Sequence, residues 1–438
     1  MKNPILKIID DRKSGKFSGI PSYCTANEIA IEALLEQGAK LNTEILIEGT
    51  ANQINQFGGY TGMTPKDFRG YVFNIAERVG FDKNKIILGA DHFGPLVWSE
   101  LCEKDAMKNA LELVRLAVEA GFKKIHLDTS MKLADDAPDE RLSDEKIAER
   151  GAVLLAECEK TFQELLKKNP DEIRPVYVIG SEVPIPGGSQ DENSGLQVTT
   201  VEDFEKTLKI YEEKFSEHGL SERWNDVIGV VVQPGVEFGD KEIHFYDRAA
   251  ALELSKSLKK YSGIVFEGHS TDYQPKEKLR QMVEDGTAIL KVGPALTFAL
   301  REGLFALSSI ERELISEDER ANFVETLEKI MTKNPADWKK HYHGSEKEKF
   351  LARRYSYSDR CRYYLTQPEI KNAVQKLFSN IDGLISRGEI LPGLLRQYMP
   401  RQYERVRDGV IKMKADALVK DFVVSVAEDY NFAAGIKI

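Results

Sequence analysis

The chain has 438 residues, long enough for one large core with an appendage. Its 61 Lys and Arg stand against 71 Asp and Glu, a formal net charge of -10, and that field repels a phosphodiester backbone, which excludes nucleic acid as an expected partner. No run of about 18 apolar residues marks a membrane span, and the opening MKNPILKIIDDRKSGKF lacks the apolar stretch of a secretory leader, so a cytoplasmic protein that does not engage a membrane is expected.

Taken in chain order, short apolar runs rich in β-formers fall at 17–22, 44–48, 86–90, 124–127, 176–179, 228–232, 263–267 and 289–292. Runs such as IGVVV and GIVFE are continuous rather than alternating, as expected of strands covered on both faces. Helix signals separate them. Thr25-x-x-Glu28 has the spacing of a capping box, opening a helix that ends near Gly38. Thr64-Pro65 sets a cap residue before a proline at the first helical position. Gly121 and Gly286 follow amphipathic stretches as helix-ending glycines. Eight such units predict an α/β fold, a closed (β/α)8 TIM barrel over 1–300. An open doubly wound sheet fits less well, because no Gly-rich dinucleotide turn follows the first strand. Segments such as ISEDERANFVETLEKIMTK then predict a helical extension over 301–438, in which FVVSV is an isolated strand-like run. Cys24, Cys102, Cys158 and Cys361 are too dispersed for a disulfide framework or a thiolate zinc cluster.

In such a barrel the ligand site lies at the carboxyl ends of the strands, so the polar residues that stop each apolar run are the ones to collect. They are Glu48, Asp91 with His92, Asp128, Glu182, Gln233, His269 with Ser270 and Asp272, and Lys291. Carboxylates and imidazoles converging on one mouth repel one another and lose solvation unless a cation joins them. The mixture of imidazole nitrogen with carboxylate and amide oxygen suits a divalent metal, zinc first, with manganese, nickel or cobalt as alternatives. The expected ligands are His92, Glu182, Gln233 and His269. Within KIHLD, His126 is read as a packing residue, and His341 and His343 as surface or lid residues.

Longer motifs carry a family resemblance. GTANQINQFGGYTGM at 49–63, GADHFGP at 89–95, HLDTSM at 126–131, GSEVPIPGG at 180–188, VVQPGVEFG at 231–239, EGHSTDYQ at 267–274, KVGPALTFALRE at 291–302 and YSYSDRCRYY at 355–364 span the chain. Through them the sequence resembles the tagatose-1,6-bisphosphate aldolase accessory subunits, often called non-catalytic, whose relatives include ketohexose 4-epimerases. The more distant class II aldolases suggest roles. Asp91-His92 resembles a pair in which the Asp handles a hydroxyl proton and the His binds zinc, and His269 resembles a second zinc histidine. Gln233 stands where a further zinc histidine is expected, which leaves Glu182 to complete the sphere.

These readings predict a metal-dependent C4 epimerase acting on a ketohexose or its phosphate, with Asp91, Asp128 and Glu182 as acid/base residues and Glu48, Gln53, Ser270, Asp272 and Lys291 holding substrate. An anion is expected at Ser270 and at the amides following Gly293. The segment YSYSDRCRYY is expected to cover the mouth and supply Arg360. The alternative is a stabilising, non-catalytic partner of a class II aldolase catalytic subunit; a homo-oligomer fits either. A kinase reading fails, because the sequence holds no G-x-x-x-x-G-K-[ST] loop.

Overall fold

The computed structural model describes residues 2–181 and 196–437. Eight parallel strands close into a barrel in which each pairs with its sequence neighbours and the first with the last. They are β1 (Ile20–Cys24), β2 (Ile45–Thr50), β3 (Ile86–Phe93), β4 (Lys124–Leu127), β5 (Val176–Ile179), β6 (Val227–Val232), β7 (Val265–Gly268) and β8 (Thr287–Val292). All eight expected runs are strands, because residues apolar on both faces can sit between a barrel interior and an outer helical layer. A short antiparallel pair, Glu237–Phe238 with Ile243–His244, lies in the connection after β6.

The lower barrel is sealed by the chain's own start. A helix at Lys7–Lys13 follows a 3-10 turn at Pro4–Leu6. From these, Ile5, Ile8 and Ile9 pack into one cluster with Leu46, Ile87, Val178 and Ile228 from inside the barrel. Burying each such side chain is worth about 1.5–3 kcal/mol. The floor is therefore dry and apolar, and the polar interior residues lie above it.

Local signals resolve in detail. The helix Glu28–Leu41 is capped by Asn27, whose side chain accepts from the Ala30 amide, and not by Thr25 as expected. Thr25 instead accepts from the Asn27 amide and shapes the approach to the cap. The helix also runs past Gly38, where a Cβ would lie 2.6 Å from Ile45 Cγ1, so this glycine allows close helix–strand approach rather than ending the helix. The expected start at Thr64-Pro65 does form, as a full capping box with Asp67. Gly121 and Gly286 both take positive φ just beyond their helices.

After β8 the helix Pro294–Leu314 crosses residue 301, the expected start of the extension. The C-terminal helix Ala415–Ala434 packs against that helix, against Glu28–Leu41, against Lys276–Glu284 and against β1. FVVSV lies within it and is helical. Its valines pattern like a strand because the helix is packed on several sides. Among the described residues, no helix is long and apolar enough to cross a membrane.

Candidate functional site: a histidine and carboxylate cluster at the barrel mouth

The strand ends gather their polar residues as topology requires. β3 ends in Asp91 and His92, and His92 takes φ 51, a left-handed conformation unusual for a side chain with a Cβ. This turn aims the His92 amide at His126 Nδ1, 3.2 Å away. Ser270 and Tyr273, just past β7, also have positive φ. Such conformations persist where surrounding contacts enforce them, and they concentrate at ligand sites. Gly94 permits the β3 end to lie against β4, since a Cβ there would fall 1.6 Å from the Asp128 carbonyl oxygen.

Asp91, His92, His126 and His269 are all buried and each offers one ligand atom within 4.8 Å of the others. The three imidazole centroids lie 4.9 to 5.2 Å apart. His92 Nδ1 is 2.7 Å from Asp128 Oδ2, which leaves Nε2 to face the cluster. Asp128 is itself fixed by the Ser130 amide and hydroxyl. His269 Nε2 lies 2.9 Å from Glu267 Oε1. His126 Nδ1 accepts from the His92 amide, which leaves the proton of the neutral ring on Nε2; that atom is buried with no hydrogen-bond partner among the described residues, and a ligand oxygen at this point would satisfy it.

Beneath lies an ionic layer. Lys124 Nζ bridges Glu48 at 2.7 Å and Glu267 at 2.6 Å. Lys291 Nζ contacts Asp91 Oδ1 at 2.6 Å and also pairs with Glu48. Four carboxylates, those of Glu48, Asp91, Asp128 and Glu267, thus share two ammonium groups, an excess of two negative charges when the imidazoles are neutral. A dication would supply the missing charge in a space where unpaired charge is costly. The residues present therefore fit a divalent ion, with the His92 and His269 imidazoles as nitrogen donors and Asp91 shared with Lys291.

Electrostatics divide the cluster. Burial alone would raise the Asp91 carboxyl, yet the His92 and Lys291 charges hold it well below the usual range. Asp128 is likewise held low, its hydrogen bond to His92 outweighing burial. Burial lowers the His269 imidazole to about 3, so it is neutral and able to bind a cation. For His92, burial is outweighed by Asp91 and Asp128, and its affinity for a proton rises. Asp272 is pushed up to about 6 by burial, although the Ala295 and Gly293 amides donate to it.

A cleft of about 640 Å³, counting space open to solvent, lies over the cluster. Of the expected residues, Gln53, Asp91, His92, His269, Ser270, Asp272 and Lys291 line it. Glu48 is buried below and Asp128 behind His92. Glu182 lies outside the described residues. Gln233 Oε1 accepts from the Gly235 and Val236 amides at 2.9 Å each, which engages this oxygen in its own turn. The helix amides after Gly293, expected to hold an anion, are already occupied: Asp272 Oδ1 accepts from Gly293 and Ala295. Arg360 is buried near the Tyr363 ring, whereas Arg362 lines the cleft.

The sequence reading gives Lys124 and Glu267 no role and assigns His126 to packing. The signal exists, because Lys124, His126 and Asp128 are spaced by two and so share one face of an extended segment, and the structure places His126 in the cluster and not in the packing. Glu267 ends the run GIVFE just as Glu48 ends its own.

Fold and cluster together define a (β/α)8-barrel protein with a buried histidine and carboxylate group at the carboxyl ends of its strands, suited to holding a cation and a polar ligand. The profile of the D-tagatose-1,6-bisphosphate aldolase subunit GatZ/KbaZ-like family matches residues 5–435, and the chain belongs to that family. It is 43% identical over 425 residues to the D-tagatose-1,6-bisphosphate aldolase subunit GatZ of Escherichia coli O1:K1 / APEC, covering 97% of this chain and 98% of that protein. The same subunit from Escherichia coli strain SMS-3-5 / SECEC matches to the same extent. A crystal structure described as a probable tagatose 6 phosphate kinase from Sinorhizobium meliloti 1021 superposes with a TM-score of 0.85 at 42% identity, covering 95% of this chain and all of that one.

These relatives correct the activity expected from sequence. The matched family and the Escherichia coli relatives are named as aldolase subunits and not as epimerases, so the C4 epimerase reading is overturned in favour of the subunit reading. The cause of the error is physical: a buried metal-competent cluster fits ligand binding as well as turnover, and strand-end residues alone do not tell the two apart.

Proposed function

We propose that this chain is a subunit of a class II D-tagatose-1,6-bisphosphate aldolase, joining a separate catalytic chain in the cytoplasm and stabilising it. The observation that carries this reading is the 43% identity to aldolase subunits along 97% of the chain. Within it, the barrel mouth holds a divalent ion, zinc by its mixed imidazole and carboxylate donors, through His92 and His269 with Asp91, while His126 donates its Nε2 proton to the ligand. When bound, the ion supplies positive charge that a ketose carbonyl or hydroxyl oxygen can meet. Asp128 fixes the His92 ring, Glu48 and Glu267 hold Lys124 and Lys291, and Gln53, Ser270, Asp272 and Lys291 border the ligand. Gln233 joins this proposal only as the residue that follows β6.

Assembly tests the reading. Mixed with a class II tagatose-bisphosphate aldolase catalytic chain, the protein should elute with it as one species in size-exclusion chromatography with light scattering. Two independent peaks at micromolar concentrations would contradict the proposal.

A further inference from the structure

The cleft has a second pole, away from the ionic layer in chemistry. Arg362, in the turn Cys361–Tyr363, lines both the main cleft and a smaller lobe that Thr25, Asn27, Thr297 and Thr366 also border. Gln53, Tyr60 and Gly293 line both spaces too, so the lobe and the cleft adjoin at Arg362.

The guanidinium sits over the Tyr363 ring, 4.9 Å from its centroid, and donates one hydrogen bond to the Tyr363 hydroxyl at 3.0 Å. Tyr60 packs edge-on against Tyr363, centroids 4.9 Å apart. The side chain is thus held in place by aromatic contacts. Two other arginines of this region have carboxylate partners: Arg301 faces Asp359 at 3.5 Å, and Arg353 pairs with Glu328 at 2.6 Å. Among the described residues, no carboxylate pairs with Arg362. Asp272 shares its cleft, but that carboxylate is turned to the Gly293 and Ala295 amides.

A guanidinium has five N–H donors in a planar fork matched to an oxyanion, and here one of them is used within the protein. The Tyr363 hydroxyl accepts from Arg362 and keeps its own proton to donate. A half-buried cation with spare donors beside a cleft, next to hydroxyls able to donate, is a binding point for an anionic group.

We propose that Arg362, with the Tyr60 and Tyr363 hydroxyls, is the subsite for a phosphoryl group of a ketose phosphate whose sugar oxygens reach the histidine cluster. The inference rests on the aldolase-subunit reading for the choice of phosphoryl over another anion. It places ligand binding in this chain and not solely in its partner.

Calorimetric titration of the full chain alone tests it, using D-tagatose 1,6-bisphosphate, D-tagatose 6-phosphate, free D-tagatose, D-tagaturonate and inorganic phosphate. The phosphorylated sugars should bind about 10- to 100-fold more tightly than free tagatose, the scale of charge-assisted hydrogen bonds. Arg362→Gln should erase that preference and leave free tagatose binding unchanged. Equal binding of phosphorylated and free sugar, a preference that survives in Arg362→Gln, or a preference for the uronate over the phosphates would each overturn the assignment. Should Arg362→Gln not melt cooperatively, Arg362→Lys serves: it keeps the charge, loses the fork and should reduce the preference severalfold, and an unchanged preference would again overturn it. Because binding is read without the aldolase partner, its failure is distinct from failure to assemble.

Discussion

His126 shows how much a single phase assignment decides. Its Nδ1 accepts from the His92 amide, so the proton of the neutral ring is on Nε2, which has no partner among the described residues; it contributes to the cluster as an N–H donor for a ligand oxygen and not as packing. His269→Ala should lower bound zinc after equilibrium dialysis and metal analysis, and a full equivalent of zinc in that variant would refute the pairing of His92 with His269. Asp128 acts one step back, through His92. Asp128→Asn should weaken zinc about 10- to 100-fold, the usual effect of losing a carboxylate behind a ligating histidine, and an unchanged zinc affinity would show that Asp128 does not orient the ring. Asp272 gives a pH signature. Its folded carboxyl is pushed from the ordinary 3.8 up to about 6 by burial, so the neutral form is favoured by folding. Its stabilising contribution is present below the unfolded value and is lost as pH rises through the folded one. Asp272→Asn keeps an oxygen for the Gly293 and Ala295 amides but cannot ionise. Urea midpoints measured between about pH 4 and pH 7 should therefore fall less steeply with rising pH in the variant than in the parent; parallel curves would remove Asp272 as the source.

At the scale of elements, the C-terminal helix Ala415–Ala434 belongs to the barrel's wall. Gly303 lets it approach closely, since a Cβ there would lie 3.2 Å from Val419 Cα. Val423 is fully buried. Val423→Asp would place an unpaired carboxylate there and should cost several kcal/mol, roughly 3–5, visible as a large drop in thermal midpoint. An unchanged midpoint would mean that this helix unfolds separately from the barrel. The same helix marks a limit of sequence reading: FVVSV looks like a strand because valines crowd a helix that is covered on several sides, and periodicity is lost when little of a helix is exposed. The barrel strands were legible for the opposite reason, as short continuous apolar runs separated by capped helices. The two-residue strands at Glu237–Phe238 and Ile243–His244 are too short to leave a pattern. Arg362 was missed for Arg360 because both fall in an irregular segment ending in a 3-10 turn, where no period says which side chain faces the mouth. The Thr25 box failed because Asn27, two residues on, is an equally good cap nearer the first helical turn.

The whole molecule joins two features that need not coincide: a closed barrel with a cation-competent mouth, and membership of a family named for a role as an aldolase subunit. A subunit that acts through assembly requires an outer contact surface, and one that also binds a sugar phosphate requires the buried cluster and Arg362. The buried cluster and Arg362 fit a subunit whose own ligand occupancy accompanies the proposed stabilising role. The most direct measurement is the half-life of tagatose-1,6-bisphosphate cleavage by a class II catalytic chain incubated at a temperature where it decays alone, with and without an equimolar amount of this protein. The account predicts a several-fold longer half-life with the protein present and no cleavage by the protein by itself. An unchanged half-life, or cleavage by this chain in isolation, would contradict it.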